Sequence, residues 1–212
     1  MTDEDLSAAL RLLEDPDLSN RCEGVARLRA LPGAAATAAL ALLLEESSWY
    51  LRDRVVEALE SRPRADDEIL RVLREGAWYA RASACDALGR RGEASAVPEI
   101  LGQLEDRNVS VQKSAVRALE RIAASHGEAA VARPVAALPS DRRGRATARI
   151  GHQAPHWADA FTRSLRELPE SAFGPTAEER PSPSAVRGSD REHRIARFRR
   201  WLGGLPPEAE GS

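Results

Sequence analysis

An all-α, right-handed solenoid of stacked helical hairpins is the fold class that the sequence predicts, on three observations. The stretch Ser48-Trp49-Tyr50-Leu51-Arg52-Asp53-Arg54-Val55-Val56-Glu57-Ala58-Leu59 is followed by a near copy, Ala77-Trp78-Tyr79-Ala80-Arg81-Ala82-Ser83-Ala84-Cys85-Asp86-Ala87-Leu88. Aligning the closing Leu exposes two weaker copies, so that Leu28, Leu59, Leu88 and Leu119 recur at intervals of 31, 29 and 31 residues. A period of that size marks a helical array. Apolar residues make up 42% of the chain but aromatic ones only 4%, so a core must come from Ala, Leu and Val, which suits close-packed helices and not a β-sandwich.

Taken in order, Leu6, Leu10 and Leu13 give the i, i+4, i+7 stripe of a helix over about 3–14, with Thr2 and Asp5 as its capping box. Asp15-Pro16-Asp17 ends it. Ser19 or Asn20 is the expected cap of a second helix, whose Val25, Leu28 and Leu31 share one face before Pro32-Gly33. The same two-beat pattern pairs residues 34–46 with 49–61, 66–75 with 78–90, and 94–106 with 109–124. Breaks fall at Pro63, Gly76 and Gly92, and Pro98 sits in a first turn, where a missing N–H costs least. An acid stands six residues before each Arg position, in Asp15/Arg21, Glu46/Arg52, Glu75/Arg81 and, with Gln, Asp106/Gln112. Acids in the turns and arginines on the second helices are expected to form a ladder of charge-assisted hydrogen bonds between neighbours.

The run from the turn acid through Trp-Tyr-x-Arg to the apolar pair ending in Leu resembles the HEAT-like repeat family, in the short bacterial form of about 30 residues that includes relatives of phycobilisome lyases. The resemblance covers about residues 3–138 and implies that the Arg-bearing helices line the inner, concave side of the stack. Residues 1–138 are thus expected to form about four and a half hairpins. Residues 139–170 read as a degraded repeat or a cap, in which Pro139 to Arg145 interrupts the chain and a helix over about 155–168, with Trp157, Phe161, Leu165 and Leu168, hides the last apolar face. Residues 171–188 read as a Pro/Ser-rich linker, and 189–212 as an Arg-rich amphipathic helix and tail.

Several classes of function find no support in the residues. The net charge of −2 lacks the basic excess of a general nucleic-acid binder, although residues 1–75 are acidic and residues 139–212 mildly basic. Cys22 and Cys85 are too few for a disulfide scaffold or a four-ligand zinc site, and Cys85 aligns with Val25, Val56 and Val116 as a small core residue. Pro155 separates His152 from His156, which removes them and Asp159 as a metal set. There is no glycine-rich phosphate cradle and no nucleophile elbow. No catalytic residue, metal or cofactor is assigned. The acidic start lacks an apolar leader and no apolar run reaches bilayer length, so a cytoplasmic protein without a transmembrane segment is expected.

What remains is binding. With Val56 and Leu59 facing the core, Asp53, Glu57 and Glu60 point away, followed one unit later by Ala82, Asp86 and Gly89 and then by Lys113, Arg117 and Glu120, a stripe that passes from acid to base. Together with Trp49, Tyr50, Trp78 and Tyr79 it forms the candidate surface for a protein partner, since Trp, Tyr and Arg dominate interface energies. The competing reading of Trp49 and Trp78 is that each staples one hairpin to the next, as the family resemblance implies, with Tyr50 and Tyr79 as the contacts. Arg194, Phe198 and Trp201 form a secondary docking surface. The function so read is a non-catalytic scaffold or adaptor, monomeric or within a hetero-complex. The alternatives are a HEAT-like chromophore lyase, an antidote-like protein capping a toxin, or a base-excision protein, because Trp49 four residues before Asp53 resembles the aromatic–carboxylate site of the HEAT-like alkylpurine DNA glycosylases.

Overall fold

The computed structural model describes residues 3–62 and 65–174, and among these no strand occurs. Eleven α-helices follow one another: α1 (Asp3–Leu13), α2 (Leu18–Ala30), α3 (Ala34–Leu42), α4 (Trp49–Glu60), α5 (Asp66–Glu75), α6 (Trp78–Arg91), α7 (Val97–Gln103), α8 (Val109–His126), α9 (Ala129–Ala136), α10 (Ser140–Gln153) and α11 (Pro155–Arg166). Short polar side chains start three of the five second helices. Asp17 accepts from the Ser19 N–H to open α2, Ser48 from Leu51 to open α4, and Asn108 from Ser110 to open α8. The expected cap of α2 at Ser19 or Asn20 is therefore corrected to Asp17. Pro98 lies in the first turn of α7, and Gly92 ends α6 in the left-handed conformation that a Cβ disfavours.

Five hairpins result: α1/α2, α3/α4, α5/α6, α7/α8 and α9/α10. The second helices pack in sequence, α2 on α4, α4 on α6, α6 on α8 and α8 on α10, and α11 packs on α9. Leu28, Leu59, Leu88 and Leu119 are fully buried in the core, each contributing about 1.5–3 kcal/mol by leaving water. The described residues form a helical repeat solenoid.

The fifth hairpin corrects the expectation at residues 139–145. Where an interruption was read, α10 begins, with Pro139 entering it and Ser140 and Asp141 in its first turn. The repeat register runs on: Ile150 stands 31 residues after Leu119 and is fully buried, and Arg143 stands 31 after Gln112. Only Ala146, Ala148 and Ile150 stand among four arginines, Gly144 and Gly151, which hides the period, and packing against α8, α9 and α11 overrides a cost of about 1 kcal/mol for each glycine. The expected helix over 155–168 is α11, which buries Trp157 and Phe161 and closes the array. Phe173 and Gly174, expected to belong to the linker, are instead held. The Gly174 N–H donates to the Ala136 carbonyl at 2.8 Å, and Arg143 lies over the Phe173 ring. A Cβ at residue 174 would stand 2.3 Å from the Ala137 carbonyl oxygen, so only glycine fits. Thr2, Pro63, the remainder of the linker and the Arg-rich segment with Arg194, Phe198 and Trp201 lie outside the described residues. No described helix is long and apolar enough to cross a membrane.

Candidate protein-binding face

Two columns of polar side chains lock the units and so fix the face that the second helices present. The first is the predicted Arg column. From the second hairpin on, its members turn back to carbonyls at the end of their own hairpin's first helix: Arg52 donates to Glu46 O and Ser47 O at 2.5 and 2.8 Å, Arg81 to Gly76 O at 2.7 Å, Gln112 to Asp106 O at 2.6 Å, and Arg143 to Ala136 O and Leu138 O at 3.1 Å each. These carbonyls have no partner within their helix, and the side chain supplies one. The same side chains reach forward to the next unit. Arg21 meets Glu46, and Arg81 forks onto Asp106 at 2.8 and 3.0 Å. Arg52 departs from the ladder: it donates to Ser83 Oγ at 3.3 Å and lies 4.8 Å over the Tyr79 ring. Burial pulls its pKa down, and Tyr79 and Glu46 oppose that.

The second column was not read from the sequence. Arg62, Arg91 and His126 close the second helices and reach back one unit, Arg62 to Arg29 O and Leu31 O, Arg91 to Leu59 O and Arg62 O, and His126 to Gly92 O. Arg91 also forks onto Asp66 at 2.7 and 3.1 Å. The signal is present, since Arg62 and Arg91 each stand three residues past the recurring Leu, but both lie outside the apolar residues that define the repeat.

Between these columns the face opens a groove of about 440 Å³ lined from α4, α6 and α8. It brings together six of the candidate residues, Trp49, Asp53, Trp78, Tyr79, Asp86 and Arg117, and adds Arg52, Arg90 and Arg121. Tyr50 and Glu57 fall elsewhere. They share the opposite flank of α4 with Arg54, which donates to both, and they line a separate depression against α2. One helix places i, i+4 and i+7 on a common flank, so Tyr50, Arg54 and Glu57 go together and Trp49 and Asp53 do not join them. Lys113 is exposed on α8 but does not line the groove. Gly89, read as pointing outward, is buried where α6 meets α8, with Ala118 filling the place of its missing side chain.

The stapling role of the tryptophans is corrected. Trp49 is 73% exposed and Trp78 48%, each only edge-on to the tyrosine that follows it. The apolar seat at each helix start is taken two residues later, by Leu51, Ala80 and Val111, all fully buried, which leaves the first residue outside. Val109, the first residue of α8, is 57% exposed and extends the row. The tyrosines differ from each other: Tyr79 packs partly buried under Arg52, and Tyr50 is exposed.

The charge stripe is cross-tied. Asp53 accepts from Arg90 at 3.3 Å, and Asp86 accepts from Ser114, Arg117 and Arg121. Exposed pairs of this kind contribute about 0–1 kcal/mol each, so they order the face more than they stabilise it. His156 pairs with Glu120 rather than with His152, and among the described residues no group of three ligands for a metal ion occurs. Cys85 is buried in the core, where burial first and Asp86 next push its thiol pKa far up.

Residues 67–151 match the family model of HEAT repeats. The matched HEAT stretch begins in α5 and ends in α10, so it includes the second helix of the fifth hairpin, where the sequence reading had placed a degraded repeat or a cap. It also contains Trp78, Tyr79, Asp86 and Arg117, while Trp49 and Asp53 belong to the hairpin before it, joined to it by the same polar columns. No curated protein matches the chain.

Proposed function

We propose that the chain is a non-catalytic protein-binding scaffold that holds its partner on the second-helix face, at the groove between α4, α6 and α8. HEAT repeats commonly mediate protein interaction. The observation that carries the assignment here is the row Trp49, Trp78 and Val109, three apolar side chains left in water at one repeat position while the helices behind them are packed. Large exposed apolar side chains rimmed by charge mark interaction surfaces, and Trp and Arg are the residues that most often dominate their energies. The groove's side chains are engaged with one another in ion pairs, which suits orientation of a partner rather than proton transfer. The test is capture of protein partners by the full chain, Trp49→Ala/Trp78→Ala and, as a control on the other layer, Arg71→Ala. Capture lost only in the tryptophan variant supports the assignment, and capture unchanged in it refutes it.

One observation favours a second reading. The groove sets Trp49, Asp53 and Trp78 side by side, the aromatic and carboxylate groups that a base-excision site would need, with four arginines around them. Against it, Asp53 is already engaged by Arg90. Binding to duplex DNA that weakens steeply between 50 and 200 mM salt would favour this reading.

A further inference from the structure

We infer that the cavity where α2 ends, α3 begins and α4 ends binds a carboxylate, which completes an Arg–carboxylate fork that the neighbouring hairpin builds from its own side chains. The site is separate from the α4–α6–α8 groove and does not rest on the reading of that groove. In the third hairpin the Arg91 Nε and Nη2 donate to the two oxygens of Asp66 at 2.7 and 3.1 Å. One repeat earlier, 29 residues back, Arg62 stands in place of Arg91 and Thr37 in place of Asp66. The Arg62 Nε donates to Thr37 Oγ1 at 3.1 Å, as its counterpart does to Asp66, and Nη1 is taken by Arg29 O and Leu31 O. A hydroxyl offers one oxygen where a carboxylate offers two, so the Arg62 Nη2 is left buried without an acceptor among the described residues. Arg62 is only 7% exposed and its acceptors are all neutral, so a guanidinium that keeps its proton is short of a counter-ion.

The cavity beside Arg62 supplies the space and the sign. It measures about 550 Å³, room for a carboxylate and several waters of about 30 Å³ each, and its wall contains Arg62, Thr37, Arg29, Ser61, Asp67 and Glu68. The start of α3, Gly33 and Ala34, forms another part of the wall. Gly33 caps that helix with no side-chain hydrogen bond and its first turn carries no acid, which leaves the first N–H groups and the positive end of the helix dipole open to an anion. One unit on, α5 opens instead on Asp66, Asp67 and Glu68. Arg29 is exposed and in no ion pair among the described residues. The two acids of the wall are already engaged, Glu68 by Arg71 at 3.4 Å and Asp67 by the positive end of the helix on which it stands. One negative charge balances Arg62, whereas a dianionic phosphate would also face Asp67.

The experiment titrates the isotope-labelled full chain, at constant ionic strength, with sodium acetate, with acetyl-Gly-Glu-Gly amide and with inorganic phosphate, following the Ala34 and Ala35 amides and the Arg62 Nε–H by NMR. Saturable shifts with a carboxylate, at a dissociation constant of about 1–10 mM and at least about fivefold tighter than phosphate, are the result expected. Saturation by acetate alone marks a small acid as the source, and binding of the peptide as tightly or more tightly marks an acidic side chain. Thr37→Asp supplies the missing oxygen from within and should weaken carboxylate binding at least about tenfold, and Arg62→Gln should do the same by removing the cation. Thr37→Ser should bind as the wild type does, with circular dichroism confirming that all three variants stay helical. Phosphate binding tighter than either carboxylate overturns the ligand class. Shifts that are absent, that do not saturate, or that persist in Thr37→Asp and Arg62→Gln overturn the site.

Discussion

Arg62 and Arg91 occupy one repeat position and meet different company. Arg91 sets a bidentate fork on Asp66 and reaches three carbonyls of the preceding unit, whereas Arg62 has only neutral acceptors, Thr37 Oγ1 and two carbonyls, and one of its amino groups is buried without a partner. Burial lowers the Arg62 pKa, yet a guanidinium starts high enough to stay charged. Removing Arg91 leaves the part-buried Asp66 carboxylate without its cation and takes a donor from the carbonyls that end α4. Arg91→Ala is expected to cost about 2–3 kcal/mol and Arg62→Ala less, read by urea denaturation of both variants. A larger loss for Arg62→Ala would show that its neutral contacts matter more than the ion pair. Cys85 is a second test at this scale. Its folded pKa is raised above the unfolded value, so the folded state holds the proton more tightly; the stabilisation is complete below the ordinary thiol range and falls away as pH rises above about 9. The wild-type unfolding midpoint should therefore drop above that pH more than that of Cys85→Val, and Cys22 should react with a thiol reagent while Cys85 reacts only on unfolding. Cys85 was legible in sequence because it aligns with three valines, whereas the Arg62/Arg91 column was not, because it lies beyond the apolar residues that define the repeat.

Helices with a dense apolar stripe announced themselves, and helix α10 did not. Its register is carried by Arg143 and Ile150, one polar and one apolar residue, and a search for apolar periodicity passes over a helix whose inward face includes a guanidinium. The α6–α8 contact shows the same limit. Gly89 looks like an outward position by helical period, but a Cβ there would meet Ala118 Cα at 2.6 Å, so the two helices approach more closely than side chains on both would permit. Gly89→Ala sets two effects against each other: helix propensity gains about 1 kcal/mol, and overpacking costs about 1–3 kcal/mol. Overpacking is expected to win because the clash is with backbone, giving a lower denaturation midpoint. A raised midpoint would mean that α6 and α8 separate easily, and the groove that spans them would then be less fixed than its hydrogen bonds imply.

Across the described residues, each hairpin touches its neighbours and little else, so stability is close to a sum of unit and interface terms, and α11 takes the role of the polar-backed cap that ends such arrays. The fold class was readable from one period and a few anchors. The candidate site was readable in part: the sequence placed Trp49, Asp53, Trp78, Asp86 and Arg117 on one face, but it could not separate the Tyr50/Glu57 flank from the groove or tell a stapling tryptophan from an exposed one, because both outcomes depend on which of two adjacent residues fills the seat between units. The most direct test is hydrogen exchange of the full chain with and without a captured protein partner. Protection concentrated at the starts of α4, α6 and α8, near residues 49–56, 78–86 and 109–117, is the result expected; protection confined to α3, α5 and α7, with those segments unchanged, would contradict a grip by the second-helix face.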